Sequence, residues 1–262
     1  MTLSSWLILI LLLAAVGFAQ AWYRLRLRYR RFKGKPYGSR IPTVPIWELD
    51  PLFAVTDAGP SRQTEVAHIA AVRVLGGVSD LESWILCALA RHSRNVFEFG
   101  TATGKTTYLM ARSSPKARIV TLTLAPDQTG HASHDKSDDA TAIAAARSES
   151  SFDTFVYSGT DVEARIEQHF GDSKTFDEAP YAGTMDLIFV DGDHTESYIR
   201  SDTQKAMRML APGGWLLWHD FRGRDEVPGV WRFLHELLGT QPLVHIQDTA
   251  LVAYRKPVEG AA

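Results

Sequence analysis

A single cysteine, Cys87, stands among 262 residues, so no disulfide can close within the chain, which fits a reducing compartment. No charged side chain occurs before Arg24. No internal repeat is visible either, which argues against a solenoid or propeller. Most informative is the shortage of basic residues beyond position 35. Seven cations (Arg24, Arg26, Arg28, Arg30, Arg31, Lys33 and Lys35) precede that point, and residues 36–262 carry 21 basic against 30 acidic side chains, a net of −9. So acidic a body excludes a general nucleic-acid binder, which needs clustered Lys and Arg to neutralise phosphates.

The uncharged N-terminus is a hydrophobic run. Leu3–Tyr23 is about the twenty residues a helix needs to cross a ~30 Å hydrocarbon core. Trp6, Trp22 and Tyr23 lie near its ends, where amphipathic rings favour the membrane interface, and the cationic cluster follows at once. Positive charge beside a span stays cytoplasmic, which predicts a single-pass membrane protein with a short outer N-terminus and a cytoplasmic domain. The competing reading is a cleaved signal peptide, for which Ala19-Gln20-Ala21 has the small-x-small form. Against it, the segment before the apolar run has no positive charge.

The expected organisation is a transmembrane anchor over 1–23, a basic juxtamembrane segment and linker over 24–61, and one domain over 62–262. Five prolines and three glycines fall within residues 33–61, the mark of a linker that lies against a domain. Helical spacing follows over Arg62–Leu75 and Asp80–His92. Short apolar runs then alternate with helical patterns. The runs are Val96–Phe99, Ile119–Leu122, Ile166–Phe170, Met185–Val190, Trp215–Trp218 and Leu251–Tyr254. The helical patterns include Thr106–Ala111, Glu196–Leu210 and Gly229–Leu238. Such alternation predicts an α/β domain with a largely parallel sheet covered on both faces. The polar stretch 126–151 interrupts it, either as an insertion over a ligand or as a solvated loop.

Gly100-Thr101-Ala102-Thr103-Gly104 follows the first strand and opens a helix. Its glycines permit a sharp turn and close approach to a ligand, and the helix offers free N–H groups there. A phosphate and a carboxylate both suit such a turn. Gly104-Lys105-Thr106 has the ending of a P-loop, and Leu187–Asp191 has the form of a strand with a magnesium-holding Asp. A P-loop, however, needs four residues between its glycines and this loop has three.

Four segments in order make a more specific match. They are Glu98 with Gly100–Gly104, then Gly171-Asp172-Ser173, then Met185–His194, then Leu210-Ala211-Pro212-Gly213-Gly214 leading into Trp215–Asp220. Over about residues 80–255 the chain resembles the class I S-adenosylmethionine-dependent methyltransferases, type 24 group, with their Rossmann-like doubly wound sheet. The resemblance implies S-adenosylmethionine as cofactor, held by Glu98, Gly100, Thr101, Ala102, Thr103, Gly104, Thr123, Asp172, Ser173 and Asp191. Glu98 then orients the methionine end through the loop, Asp172 accepts from the adenine amino group, and Lys105 is a helix-surface residue. Thr123 departs from the pattern, because the family has there an acid for both ribose hydroxyls. Asp127 is a substitute from the next loop.

The expected chemistry is in-line methyl transfer, which needs alignment, exclusion of water and removal of a proton from the acceptor. Asp191 and Asp220 end neighbouring strands, and with His219 they make a metal site suited to Mg²⁺, or to Mn²⁺ or Fe²⁺ given the imidazole. His194 is the candidate general base, with Asp191 as the other catalytic residue. Asp193 is a candidate helix cap, and Arg222 and Arg224 border the acceptor. The acceptor implied is a small molecule, a sugar or, because of the anchor, a lipid-linked compound. The alternatives are a catalytically silent methyltransferase-like membrane-bound binding protein and, third, a P-loop-like ATPase.

Overall fold

The computed structural model describes residues 3–31, 36, 38–71, 77–128, 130 and 132–258. Seven helices occur among them: α1 (Leu3–Arg31), α2 (Ile46–Leu49), α3 (Asp80–Arg91), α4 (Lys105–Ser113), α5 (Ala140–Glu149), α6 (Glu196–Met209) and α7 (Pro228–Leu237). The strands are β1 (Thr43–Val44), β2 (Val55–Thr56), β3 (Gly59–Pro60), β4 (Asn95–Phe99), β5 (Arg118–Thr123), β6 (Ile166–Phe170), β7 (Met185–Val190), β8 (Leu210–Trp218), β9 (Val244–Ile246) and β10 (Val252–Arg255).

Eight strands form one sheet in the order β1-β9-β10-β8-β7-β4-β5-β6. Pairing is parallel from β6 across to β8, while β10 runs antiparallel to both β8 and β9. The chain starts in the middle at β4, steps outward through β5 and β6, then returns to β7 on the other side of β4. That reversal opens a crevice over the carboxyl ends of β4 and β7, where ligands bind in open α/β sheets. The largely parallel α/β sheet expected from the alternation is observed, in the Rossmann-like arrangement that the resemblance implies.

Central strands are apolar on both faces. Val96, Leu187, Phe189 and Leu217 pack in one cluster with Ile85 and Leu89 of α3 and Leu109 of α4. Phe97, Phe99, Ile188 and Trp218 pack in the other with Ile199 of α6 and Phe233 of α7. Burying each such side chain contributes about 1.5–3 kcal/mol, and burial on both faces suits parallel strands. Edge strand β6 is only half-buried, so its apolar run is broken by Glu167, Gln168 and His169. The segment expected as a linker is partly built into the domain. Ile41 is fully buried, and Thr43–Val44 adds an edge strand parallel to β9.

The helix expected over Arg62–Leu75 does not form in its described part. Arg62–Thr64 is one 3₁₀ turn, residues 65–71 have no regular structure, and residues 72–75 lie outside the described residues. The backbone groups a helix would use are committed elsewhere. The Trp84 indole N–H donates to the Thr64 carbonyl (2.9 Å), Arg91 donates to the Glu65 carbonyl (2.6 Å), and the Ala67 N–H donates to Ser113 Oγ (3.0 Å).

Within α1, Ser4–Arg26 has mean hydropathy 2.0, and none of its most apolar window is buried against the domain. It is long and apolar enough to cross a membrane, a property that a signal sequence shares. Lys33 and Lys35 of the basic cluster lie outside the described residues.

Candidate active site

The glycine loop joins β4 to α4. Gly100 has φ +95°, and a Cβ there would stand 2.1 Å from the Asp191 carbonyl oxygen, so the two loops meet as only glycine permits. Gly104, at φ +74°, is the N-cap of α4 and lies beneath Phe155 and Tyr157. Under the loop, the Glu98 carboxyl accepts from the hydroxyls of Thr107 and Thr121 (2.7 Å for the latter), and Thr121 meets Thr101 at 2.8 Å. Burial pushes Glu98 up to about 8, against the pull of those two hydrogen bonds. It therefore acts on a ligand only through the loop. Gly100 and Ala102 line the crevice, whereas Thr101 is buried behind it.

Lys105 does not lie on the helix surface as expected. It is 4% exposed, its Nζ has no hydrogen-bond partner, and burial lowers its pKa. It does not line the crevice, which deprives the ATPase reading of its phosphate-binding cation.

Polar insertion 126–151 closes over the crevice. Its helix α5 starts at Asp139, whose side chain accepts from the N–H groups of Thr141 and Ala142. The segment before it is tied to α6 and its entry. The Ser133 N–H donates to Tyr198 Oη (2.8 Å), His134 Nε2 meets Asp193 Oδ2 (2.6 Å), and Ser197 Oγ donates to Asp138 Oδ2 (2.5 Å). Asp193 also accepts from the Thr195 N–H (2.8 Å), so it serves the helix entry and the insertion together. Ala146, Glu149 and Ser150 thus face Gly100, Ala102, Thr123, Ser173 and Asp191 across the crevice. The cavity left is about 50 Å³, room for one or two waters.

Thr123 lines this cavity, and its carbonyl accepts from the Gly171 N–H (2.9 Å). Asp127 is exposed on the 3₁₀ turn Pro126–Gln128. Ser173 lines the cavity, but Asp172 beside it does not. The Asp172 carboxylate instead accepts from Tyr198 Oη (3.0 Å) and from the N–H groups of Lys174 (2.9 Å) and Ser133 (3.2 Å).

At the other end an acid–imidazole cluster assembles from the loops after β7 and β8 and from α3. His219 Nδ1 lies 2.8 Å from Asp191 Oδ1 and 3.5 Å from Asp220 Oδ2. His194 Nε2 lies 2.6 Å from Asp220 Oδ2, and Arg222 Nε lies 2.8 Å from the other Asp220 oxygen. Asp220 adopts φ +59°, a left-handed conformation that Asp tolerates better than most residues. Burial alone would favour neutral imidazoles, yet Asp220 and Asp191 push His194 up to about 9, and Asp191 and Asp220 raise His219 well above its usual value. As built, His194 is a proton donor to Asp220. Asp191, His219 and Asp220 bring donor atoms within 4.8 Å of one another, a set that fits a divalent cation. Arg224 lies in the exposed loop beyond.

Glu82 belongs to this cluster and sequence reasoning missed it. Its Oε2 lies 3.4 Å from His219 Nε2, and it accepts from the N–H groups of Ala250 (2.5 Å) and Ser79 (2.7 Å). Despite burial, His219 and these N–H groups hold it down at about 2. The signal was present, since Ser79-x-x-Glu82 before an apolar run is a capping box, and α3 carries one. Glu82→Ala removes the box and strands two N–H groups, so unfolding in urea should show a loss of about 2–3 kcal/mol. A loss below about 0.5 kcal/mol, within the range of a surface substitution, would contradict this role.

Residues 97–221 match the model of a family described as a methyltransferase domain. That stretch takes in all four segments on which the resemblance rests, from Glu98 to Asp220. No curated protein matches. Among solved structures, the O-methyltransferase TomG of Streptomyces achromogenes, in complex with SAM, is 22% identical over 69% of this chain and 82% of its own, with TM-score 0.48. A Podospora anserina methyltransferase bound to SAH is 17% identical over 69% and 80%, with TM-score 0.48. A Bacillus cereus O-methyltransferase in complex with SAH is 21% identical over 69% and 83%, with TM-score 0.44.

Proposed function

We propose that this protein transfers a methyl group from S-adenosylmethionine to a hydroxyl of a small-molecule, sugar or lipid-linked acceptor, and that α1 holds its domain on the cytoplasmic face of a membrane. One observation carries the reading: the glycine cradle at Gly100 and the Asp191–His219–Asp220 cluster meet at a single crevice, over the sheet's reversal point. Gly100 and Ala102 receive the methionine end, and Glu98 holds that loop through Thr107 and Thr121. Leu122 and Leu124 flank the ring system, and Thr123 makes one neutral hydrogen bond to the ribose where a carboxylate would make two stronger ones. Helix α5 excludes water once it closes. Asp191, whose pKa burial raises, receives the acceptor hydroxyl and its proton, while Asp220, held ionised by His194 and His219, binds beside it. S-adenosylmethionine supplies a methyl group on a sulfonium for in-line displacement. A divalent cation held by Asp191, Asp220 and His219 would polarise the acceptor hydroxyl.

The test is calorimetric titration of the full chain in detergent with S-adenosylmethionine, using ATP as the control. Saturable binding of the first alone is expected, with amide exchange over residues 140–150 altered on binding. No binding of either ligand favours the silent domain, the reading that Thr123 supports; binding of ATP alone refutes the methyltransferase reading. Titration with metals gives a further expectation. Mn²⁺ should bind about tenfold more tightly than Mg²⁺, because one donor is an imidazole nitrogen, and Asp220→Ala should abolish both. Equal affinities, or no heat from either ion, would remove the cation from the mechanism. For the anchor, the full chain should float with phospholipid vesicles after high-salt washing, while recovery in the soluble fraction would refute it.

A further inference from the structure

Asp202 belongs to no motif singled out in the sequence, yet it is the most unusual polar group at the crevice. It projects from α6, one turn after Tyr198, and both side chains line the cavity. It is 1% exposed, and its Oδ1 has no hydrogen-bond partner. Ser173 stands beside the carboxyl, and Oδ2 lies 3.6 Å from where a Cβ on Gly192 would stand. It is thus wedged between the two loops that wall the cavity, those after β6 and β7. Phe99, Leu122 and Leu124 supply apolar wall along the same cavity.

A buried acceptor without a donor is rare in folded proteins and calls for an explanation. The carboxylate expected from the resemblance to serve as acceptor for a purine amino group is Asp172. Its oxygens already take donors from Tyr198, Lys174 and Ser133, and it lies outside the cavity lining. Asp202 has the free acceptor and the position. Building on the S-adenosylmethionine reading above, we infer that Asp202 is the residue that recognises the adenine end of the cofactor, its unpartnered Oδ1 accepting from the exocyclic amino group. Asp172 then has a positioning role, tying the insertion to α6. The division of labour explains why two acids flank Ser173 in space and only one faces the cavity.

The distinguishing experiment changes the ligand and the residue together. S-adenosylhomocysteine carries the 6-amino donor, whereas S-inosylhomocysteine carries a 6-oxo acceptor in its place. Calorimetry on the full chain in detergent should show the amino ligand bound about 100-fold more tightly, since a site built for a donor rejects an analogue lacking it. Asp202→Asn offers an amide N–H to the 6-oxo group, so it should bind the inosine analogue more tightly than the wild type does and bring the two ligands within about fivefold. Damage to the fold cannot produce that gain. Asp172→Asn should keep the wild-type preference. Equal binding of both ligands by the wild type, or a preference unchanged in Asp202→Asn, overturns the assignment and leaves the cofactor reading intact. Loss of the preference in Asp172→Asn overturns it as well, even if Asp202→Asn fails to fold. A wild-type chain that binds neither ligand refutes the cofactor reading and this inference with it.

Discussion

Gly100→Ala should destabilise the domain by about 2–6 kcal/mol and abolish adenosyl-ligand binding. Two costs add. The backbone at φ +95° lies where side chains other than hydrogen are strained, at about 1–3 kcal/mol. The new Cβ would also stand 2.1 Å from the Asp191 carbonyl oxygen, 2.6 Å from its carbon and 2.8 Å from the Gly192 Cα. All three atoms are backbone, so no rotamer relieves the clash. Both sides are pinned as well: the Asp191 N–H donates to the Phe99 carbonyl, and the Gly100 N–H to the Leu122 carbonyl, each at 2.8 Å. The ends of β4 and β7 would have to part by more than an ångström, at an overpacking cost of about 1–3 kcal/mol and with loss of the crevice between them. Gly171→Ala is the control. It also lines the crevice, but its Cβ meets nothing within 4 Å, and its stability should change by less than about 0.5 kcal/mol. Urea unfolding of both variants decides the matter, and a Gly100→Ala loss below about 1 kcal/mol would show that the loops are not locked together.

Much of this architecture is legible in the sequence, for a reason that also marks where legibility stops. Central strands such as Met185–Val190 are apolar on both faces, so burial alone identifies them. Strand β1 has only Thr43 and Val44 and depends on pairing with β9, which no local pattern announces. The stretch Arg62–Leu75 has helical spacing, but long-range hydrogen bonds, donated by Trp84 and Arg91 and accepted by Ser113, hold its backbone open. Helix α5 is the converse case: polar and alanine-rich, it forms on the Asp139 cap and on ties to α6. Site residues divide in the same way. Gly100 and Asp191 sit at strand ends, where spacing reveals them. Glu82 and Asp202 reach the site from helices, and their buried neighbours come from distant parts of the chain. A capping box announces the first; only the fold shows that the second faces a cavity.

The carboxyl of Glu98 should make the domain less stable as pH rises through neutrality, and Glu98→Gln should reverse that. Burial lifts its pKa from about 4.5 to about 8, against the hydroxyls of Thr107 and Thr121. The sign follows from proton linkage. Below pH 4.5 the carboxyl is protonated folded or unfolded, and no penalty arises. Between 4.5 and 8 the unfolded chain releases a proton that the folded chain keeps, so stability falls steadily. Above 8 the penalty is complete, on the order of 3–5 kcal/mol, since each tenfold change in proton affinity is worth about 1.4 kcal/mol. Glutamine keeps the shape and one acceptor oxygen without the charge. The variant should therefore match the wild type or fall slightly below it at pH 5, then exceed it by about 2 kcal/mol or more at pH 8.5. Urea unfolding at pH 5, 7 and 8.5 measures this, and taking the difference between variant and wild type cancels every other titrating group. A difference that stays flat across the range would mean that Glu98 is ionised throughout. A buried acid this costly is retained for what it holds, because Thr107 opens α4 and Thr121 supports Thr101, and together they fix the loop that faces the methionine end of the proposed cofactor. Stability given up beneath a binding loop is the usual exchange at a functional site. Glu98→Gln should then bind S-adenosylmethionine with little loss, whereas Glu98→Ala, which frees both threonines, should not bind it.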